Sequence, residues 1–342
     1  MDLRDRANQA MQKYSIFFVL LVMILISAAM NDNFFSPGNL TNIGRQLAVA
    51  TILAYGEMLL IISGMLDLSA GAVLALSGVL SVNFYKTTGS LLGAFLVAIA
   101  VAVACNIVNA FFVANCKMPA FIVTLAMTMA ARGLALLYTQ GQNILQIGDY
   151  KLFGQGRIID IPILNKISFL NTIPIPIVFL IIITIVIWYV LNHTKFGRSL
   201  YAIGGNEEAA IASGINVTAS KYKAFIINGV LVGIAGVLFM SRVNAGLPNG
   251  AVGYEMEGLT AAIVGGTSFS GGVGTTLGTM VGSFIIGCLN NIMNLQGVDS
   301  YVQQVVKGGI IVAAVLYDLK FKNKKSVKVI LGNKEKSAEK TN

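Results

Sequence analysis

Residues 258–298 form an unbroken run of 41 positions with no charged side chain, and ten of them are glycine. A helix needs about 20 apolar residues to cross the hydrocarbon layer of a bilayer, so this run is long enough for two crossings. A glycine-rich turn must divide it. The same measure applied along the chain finds ten apolar segments, near 14–30, 48–64, 66–83, 91–114, 118–138, 174–192, 224–241, 257–268, 275–295 and 301–318. The pattern predicts an all-α fold: a polytopic transmembrane helix bundle of about ten helices. The eighth segment is short for a full crossing. It is expected as a broken or re-entrant helix, whose freed backbone groups must be met by protein or water.

Composition closes off the soluble alternatives. Hydrophobic residues make up 56% of the 342 positions and charged residues 11%, against about 25% charged in a soluble domain. The formal net charge of +9 does not mark a nucleic-acid binder, because the basic residues stand at the ends of apolar runs and not on one surface among polar or aromatic readers. They read as topology and as attraction to anionic membrane lipid.

With ten crossings, sixteen Lys and Arg residues fall on the side of the N-terminal tail and six on the other. The positive-inside rule then puts both termini in the cytoplasm of a multi-pass cell-membrane protein. The expected organisation is a cytoplasmic tail at 1–13, a transmembrane domain at 14–318 and a basic cytoplasmic tail at 319–342. Within the domain, 139–173 is an external loop and 192–223 a cytoplasmic one. The first apolar run leads to no cleavage site before a soluble domain and reads as a retained helix. If segments two to five and seven to ten are halves of one repeat, they enter the membrane from opposite sides. Leu68-Ser-Ala-Gly71 and Phe269-Ser-Gly-Gly272 are loosely alike in the two halves.

No catalytic or metal-ligating constellation is visible. His193 is the single histidine and has no companions for metal binding or nucleophilic catalysis. Cys105, Cys116 and Cys288 lack metal-ligand spacing. No Gly-x-x-x-x-Gly-Lys-Ser/Thr phosphate loop is present, so ATP is not bound by that device.

The polar residues inside apolar segments are the candidates for function. Asp67 is the one acid between Met58 and Tyr85, and a carboxylate at that depth costs a few kcal/mol unless paired or wetted, about 3 on insertion scales. Asp67 and Ser69 are placed to cap a helix starting at Ala70, with Gly64 and Gly71 permitting a tight turn; direct contact with a solute is the other role open to them. Gly265, Gly266, Thr267 and Ser268, with Gly271, Gly272 and Gly274, make a second break that suits either a moving gate or close helix packing.

Asn106 and Asn109 are three apart on the fourth segment, and Asn290, Asn291 and Asn294 lie on the ninth, so each set shares a helix face. They suit a route for a neutral polyol or hydrogen bonds between helices. Thr124 and Thr128 fit the route less well, since a threonine can bond its own helix. Arg132 and Lys307 interrupt spans and call for a partner or for snorkelling, with Glu57 a candidate counter-charge.

The loop at 192–223 contains Gly205-Asn-Glu-Glu-Ala-Ala-Ile-Ala-Ser-Gly214. Asn206 is placed to cap a short helix, with Glu207 and Glu208 in its positively polarised first turn. Ala209, Ala210 and Ala212 leave a thin surface that another protein can approach, Ser213 follows, and Gly214 ends the helix. A solvated linker is the plainer reading.

At these residues the chain resembles the permeases of ribose- and galactose-type ABC importers. Their inner loop carries a related Gly-Asn-x-x-Ala-Ala-x-x-Ser-Gly-Ile-Asn-Val pattern. Gly64-Met-Leu-Asp-Leu-Ser-Ala-Gly71, Gly265-Gly-Thr-Ser-Phe-Ser-Gly-Gly-Val-Gly-Thr275 and Tyr301-Val-Gln-Gln-Val-Val-Lys-Gly308 match further family patterns in order.

The resemblance implies a membrane-spanning subunit that pairs with a second permease copy and seats its inner loops on an ABC ATPase subunit. An extracytoplasmic sugar-binding protein delivers the solute. ATP and Mg then belong to the partner ATPase, and this chain needs no cofactor of its own and is not an enzyme. The motif wording leans towards the galactose-like branch, with ribose, xylose and a signalling furanose derivative open. An ion-coupled secondary transporter is the competing expectation, and an integral membrane enzyme ranks behind it.

Overall fold

The computed structural model describes residues 3–157 and 173–316, with side chains from residue 16. The C-terminal basic tail and part of the 139–173 loop lie outside the described residues. The helices are α1 (Leu3–Met30), α2 (Pro37–Ile62), α3 (Ala70–Thr88), α4 (Leu91–Ala114), α5 (Ala120–Thr139), α6 (Leu152–Gln155), α7 (Ile175–His193), α8 (Lys195–Gly205), α9 (Glu207–Ala212), α10 (Val217–Val243), α11 (Tyr254–Val264), α12 (Thr276–Leu295) and α13 (Ser300–Leu316). Each of the ten expected segments contains a helix, although 66–69 and 265–268 lie in turns and 317–318 lie outside the described residues. Among the described residues, strand pairing is limited to isolated bridges at Ile144–Gly246 and Arg157–Pro174. The described residues up to 297 form one compact unit, and α13 belongs to a second.

Side-chain caps begin several of the helices. Ser36 Oγ accepts the Asn39 amide ahead of Pro37, and Ser90, Thr194, Asn216 and Thr275 cap α4, α8, α10 and α12 in the same way. Each cap satisfies one of the four amides that the first turn leaves unpaired. Among the described residues six helices, α2, α4, α5, α7, α10 and α12, are long and apolar enough to cross a membrane, against the ten crossings expected. They divide by burial. In α2 and α10, 83% of the apolar window is buried, against 22% in α4 and in α5. The first pair forms the centre of the bundle, and the outward leucines, phenylalanines and methionines of α4 and α5 suit lipid or a second subunit.

The packing repeats within the unit. Helix α2 packs on α10, α11 and α12, and α10 packs on α2, α3 and α4. Exchanging α2, α3 and α4 for α10, α11 and α12 reproduces this set of neighbours, which is the relation an internal repeat produces. Under that exchange the α2–α3 break corresponds to the α10–α11 loop at 244–253. The likeness of Leu68–Gly71 to Phe269–Gly272 therefore compared breaks that are not equivalent.

The loop after α5 is held to the bundle by buried hydrogen bonds. Tyr150 is fully buried, and its hydroxyl lies 2.8 Å from Ser81 Oγ, while Ser241 Oγ donates to its carbonyl at 2.7 Å. Arg132 donates to the carbonyls of Pro248 and Gly250, at 2.7 Å each. It has found backbone acceptors in the α10–α11 loop.

Candidate translocation and coupling sites

The α2–α3 break gathers a buried polar junction. Helix α2 closes with Gly64 at φ 79°, the Gly64 amide donating to Ile61 and the Met65 amide to Leu60. This is a Schellman closure, and the left-handed residue is glycine because a Cβ would strain it. The chain then turns at Asp67, whose Oδ1 accepts both the Ser69 amide at 2.7 Å and the Ser69 hydroxyl at 2.5 Å. Ser69 occupies the N-cap position of α3 but makes no side-chain capping bond. That corrects the expected capping role: its hydroxyl is committed to Asp67.

Three helices reach this turn. Asn228 of α10 donates through Nδ2 to Asp67 Oδ2 at 2.7 Å and to Asn106 Oδ1 of α4 at 3.0 Å. Asn109 donates to Ser69 Oγ at 3.2 Å, and Glu57 of α2 accepts the Asp67 amide at 3.2 Å. Glu57, Asp67, Ser69, Asn106, Asn109 and Asn228 are all 0% exposed. Three donors on Asp67 offset the cost of burying its carboxylate. In this conformation the junction ties helices together and lines no open route.

Asn228 escaped the sequence reading, although a lone asparagine within segment seven was a visible signal. Gly71 is misread in the same way. It lies inside α3, not in the turn, and a Cβ there would collide with the Ala251 carbonyl and with Glu255 Oε2. Its lack of a side chain lets the α10–α11 loop pack against α3.

The second break, between α11 and α12, combines a turn with close packing. Gly266, Gly271 and Gly272 have φ of 88°, 80° and 73°. Gly265 faces Gly278 and Thr279 across the α11–α12 contact, and Gly282 faces Ala261, with backbone where a Cβ would stand. These glycines let the two helices touch backbone to backbone. Thr267 and Ser268 are buried in the break, Thr267 Oγ1 lying 3.4 Å from Thr279 Oγ1.

The α12 asparagines separate. Asn291 exchanges amide bonds with Asn39 of α2, at 2.8 and 3.1 Å, and Asn290 donates to Glu257 Oε1 at 3.3 Å. Asn294 is exposed. Asn291 therefore joins helices and is not free to line a route. Thr124 bonds the Ala120 carbonyl of its own helix, while Thr128 also reaches the Leu68 carbonyl at 2.7 Å.

The loop at 192–223 is built of α8 and α9, which meet at Asn206. This residue ends α8 and starts α9, its Oδ1 accepting the Ala209 amide at 2.9 Å. Gly214, at φ 80°, closes α9. Gly205, Asn206, Glu207, Glu208, Ala209, Ala212, Ser213 and Gly214 are exposed. Ala210 is not: it is 3% exposed and packs with Ile203 and Val217. It holds α9 to α8 and α10 and offers no surface to another protein.

The exposed apolar residue is Ile211, at 58%, which the sequence reading passed over. Beside it a groove of 680 Å³ opens between α9 and the α4–α5 turn, lined in part by Gly64, Lys117, Met118, Glu207, Ile211 and Lys221. Lys221 pairs with Glu207 at 2.9 Å.

A multi-helix membrane domain with buried polar groups, a break between helices inside each repeat half and an exposed helical loop has the construction of a transport permease. The family described as "Branched-chain amino acid transport system / permease component" matches residues 39–315, and the chain belongs to it. The ribose import permease protein RbsC of Bacillus subtilis (strain 168) is 37% identical over 93% of this chain and 96% of its own length. The D-allose transport system permease protein AlsC of Escherichia coli (strain K12) is 33% identical over 90% and 91%. The xylose transport system permease protein XylH of Haemophilus influenzae is 33% identical over 90% and 95%. No solved structure matches the chain.

Proposed function

We propose that the chain is the membrane-spanning subunit of a binding-protein-dependent ABC importer that carries a neutral monosaccharide across the cytoplasmic membrane. The observation that carries the reading is the pairing of a bundle of long apolar helices around a buried polar junction with an exposed α8–α9 loop whose two helices meet at Asn206. The exposed face of α9 meets the ATPase, and Ile211 anchors it. Both termini and this loop are cytoplasmic, and two copies of the chain form the conduit.

Sugar is favoured over the amino acids of the family's description because the relatives similar along nearly their whole length are named for ribose, allose and xylose. Those names move the reading from the galactose-like branch towards aldopentoses and their hexose analogues. The buried polar groups nearest the bundle centre are mostly amides and hydroxyls, which suit exchange with a polyol. Asp67, Ser69, Asn106 and Asn109 lie beside the route and become accessible when the α2–α3 break moves. Gly265, Gly266, Thr267 and Ser268 form the moving gate beside it.

The test is uptake of labelled ribose, xylose and allose into proteoliposomes containing the permease, its ATPase and its binding protein. Uptake is expected to require ATP on the side carrying α9. Uptake by the purified chain alone, driven by a sodium or proton gradient, would replace this reading with ion-coupled transport.

A further inference from the structure

Three stretches of backbone far apart in sequence meet at Gly204, near the C-terminal end of α8. A Cβ on Gly204 would fall on the Ile62 carbonyl oxygen and 2.6 Å from the Gly272 amide nitrogen. Ile62 is the last residue of α2, and its carbonyl accepts the Gly272 amide at 2.8 Å. That bond satisfies a helix-end acceptor that α2 cannot satisfy itself. The contact is mutual: a Cβ on Gly271 would come 2.7 Å from the Gly204 carbonyl, and one on Gly272 would come 3.1 Å from Gly205. One turn earlier on α8, the Tyr201 hydroxyl donates to the Gly274 carbonyl at 2.8 Å. Burial pushes the Tyr201 pKa up, which keeps the proton on that hydroxyl.

The α8–α9 loop therefore touches both helix breaks at one point. Ile62 lies five residues from Glu57 and five from Asp67, both in the buried junction, and Gly272 and Gly274 lie in the turn between α11 and α12. Side-chain contacts absorb small movements by changing rotamer, whereas backbone packed on backbone does not. Asn206 joins α9 to α8 without a flexible linker, so displacement of α9 is passed to α8.

We propose that Gly204 is the joint through which movement of the cytoplasmic loop reaches the α2–α3 and α11–α12 breaks together, with Tyr201 as a second positioning residue. The inference rests on the importer reading above and adds to it the point of transmission. The coupling lies between loop and breaks, so weakening it separates hydrolysis from transport and spares ATPase docking.

The experiment uses the full complex in proteoliposomes, with labelled ribose, xylose and allose as probes. Gly204→Ala and Tyr201→Phe are compared with the unaltered chain. Three quantities are measured: ATPase retained on purification, ATP hydrolysed and sugar moved per ATP. In Gly204→Ala, sugar moved per ATP is expected to fall at least about fivefold, the low end of coupling between distant sites, while the ATPase stays bound. Tyr201→Phe, which keeps the ring, is expected to lower the same ratio about two- to threefold, as loss of one hydrogen bond of modest net worth does.

Unchanged sugar per ATP in both variants overturns the proposal. If Gly204→Ala fails to assemble, Tyr201→Phe decides: a lowered ratio with normal ATPase binding supports the joint, and a normal ratio removes it. Failure of the importer reading looks different, because the unaltered chain would then bind no ATPase or would transport without one.

Discussion

Asn228 of α10 donates to the Asp67 carboxylate at 2.7 Å across 161 residues of sequence, and the same amide nitrogen reaches Asn106. One side chain thereby joins α10, α4 and the α2–α3 break. Its own Oδ1 lies against Gly56 of α2, where a Cβ would collide with it.

Replacing Asn228 by leucine removes both bonds and leaves Asp67 Oδ2 and Asn106 Oδ1 buried without this donor. A buried acceptor stripped of its partner costs about 1–3 kcal/mol, and more when it is charged. Asn228→Leu is expected to lower the thermal midpoint in detergent clearly, with Asn106→Ala smaller. A midpoint for Asn228→Leu equal to that of the unaltered chain would show that the junction contributes nothing to stability.

Glycine substitutions separate packing positions from open ones. At Gly282 a Cβ would collide with the Ala261 carbonyl, while at Gly133 on α5 it would meet nothing within 4 Å. Gly282→Ala is expected to destabilise by about 1–3 kcal/mol through overpacking. Gly133→Ala is expected to be neutral or stabilising by up to about 1 kcal/mol, because alanine is the better helix former. Unfolding in a denaturing detergent titration measures both, and equal effects would contradict the backbone contact between α11 and α12.

Ile211 and Ala210 are neighbours with opposite exposure. Ile211→Glu is expected to leave the permease's own melting unchanged and to weaken ATPase retention at least about tenfold, since burying one such side chain is worth about 1.5–3 kcal/mol. Ala210→Glu is expected to lower the melting temperature as well, because it forces a charge into the Ile203–Val217 contact. Pull-down alongside melting distinguishes them. Full ATPase retention by Ile211→Glu would move the docking anchor elsewhere.

The Glu207–Lys221 pair is expected to matter little for stability. The Glu207 side chain is 48% exposed and that of Lys221 14%, and a pair with one partner largely in solvent is worth about 0–1 kcal/mol. Glu207→Gln should change the melting temperature by no more than a degree or two, and added salt should erase the difference. A large salt-resistant loss would mean that the pair is part of a buried network.

The apolar helices were legible because each is a local property of the chain, although six of the ten expected segments are long and apolar enough to cross a membrane among the described residues. The charge-free run at 258–298 had to hold two helices wherever it packed. Asn206 had to cap and Gly214 had to end a helix, since both act within four residues of themselves. Asp67 stood out as an acid in an apolar run for the same reason.

What each of these residues touches was not legible. The donor for Asp67 Oδ2 comes from a helix 161 positions away, Ala210 turned inward while Ile211 turned outward, and Gly204 owes its lack of a side chain to Ile62 and Gly272. Composition and capping determined where the apolar helices lie, while the short helices α6 and α8 were read from neither. Only the packing of α2 and α10 against each other's neighbours decided which polar groups meet, because buried hydrogen bonds and backbone contacts depend on positions in space that a linear pattern does not encode.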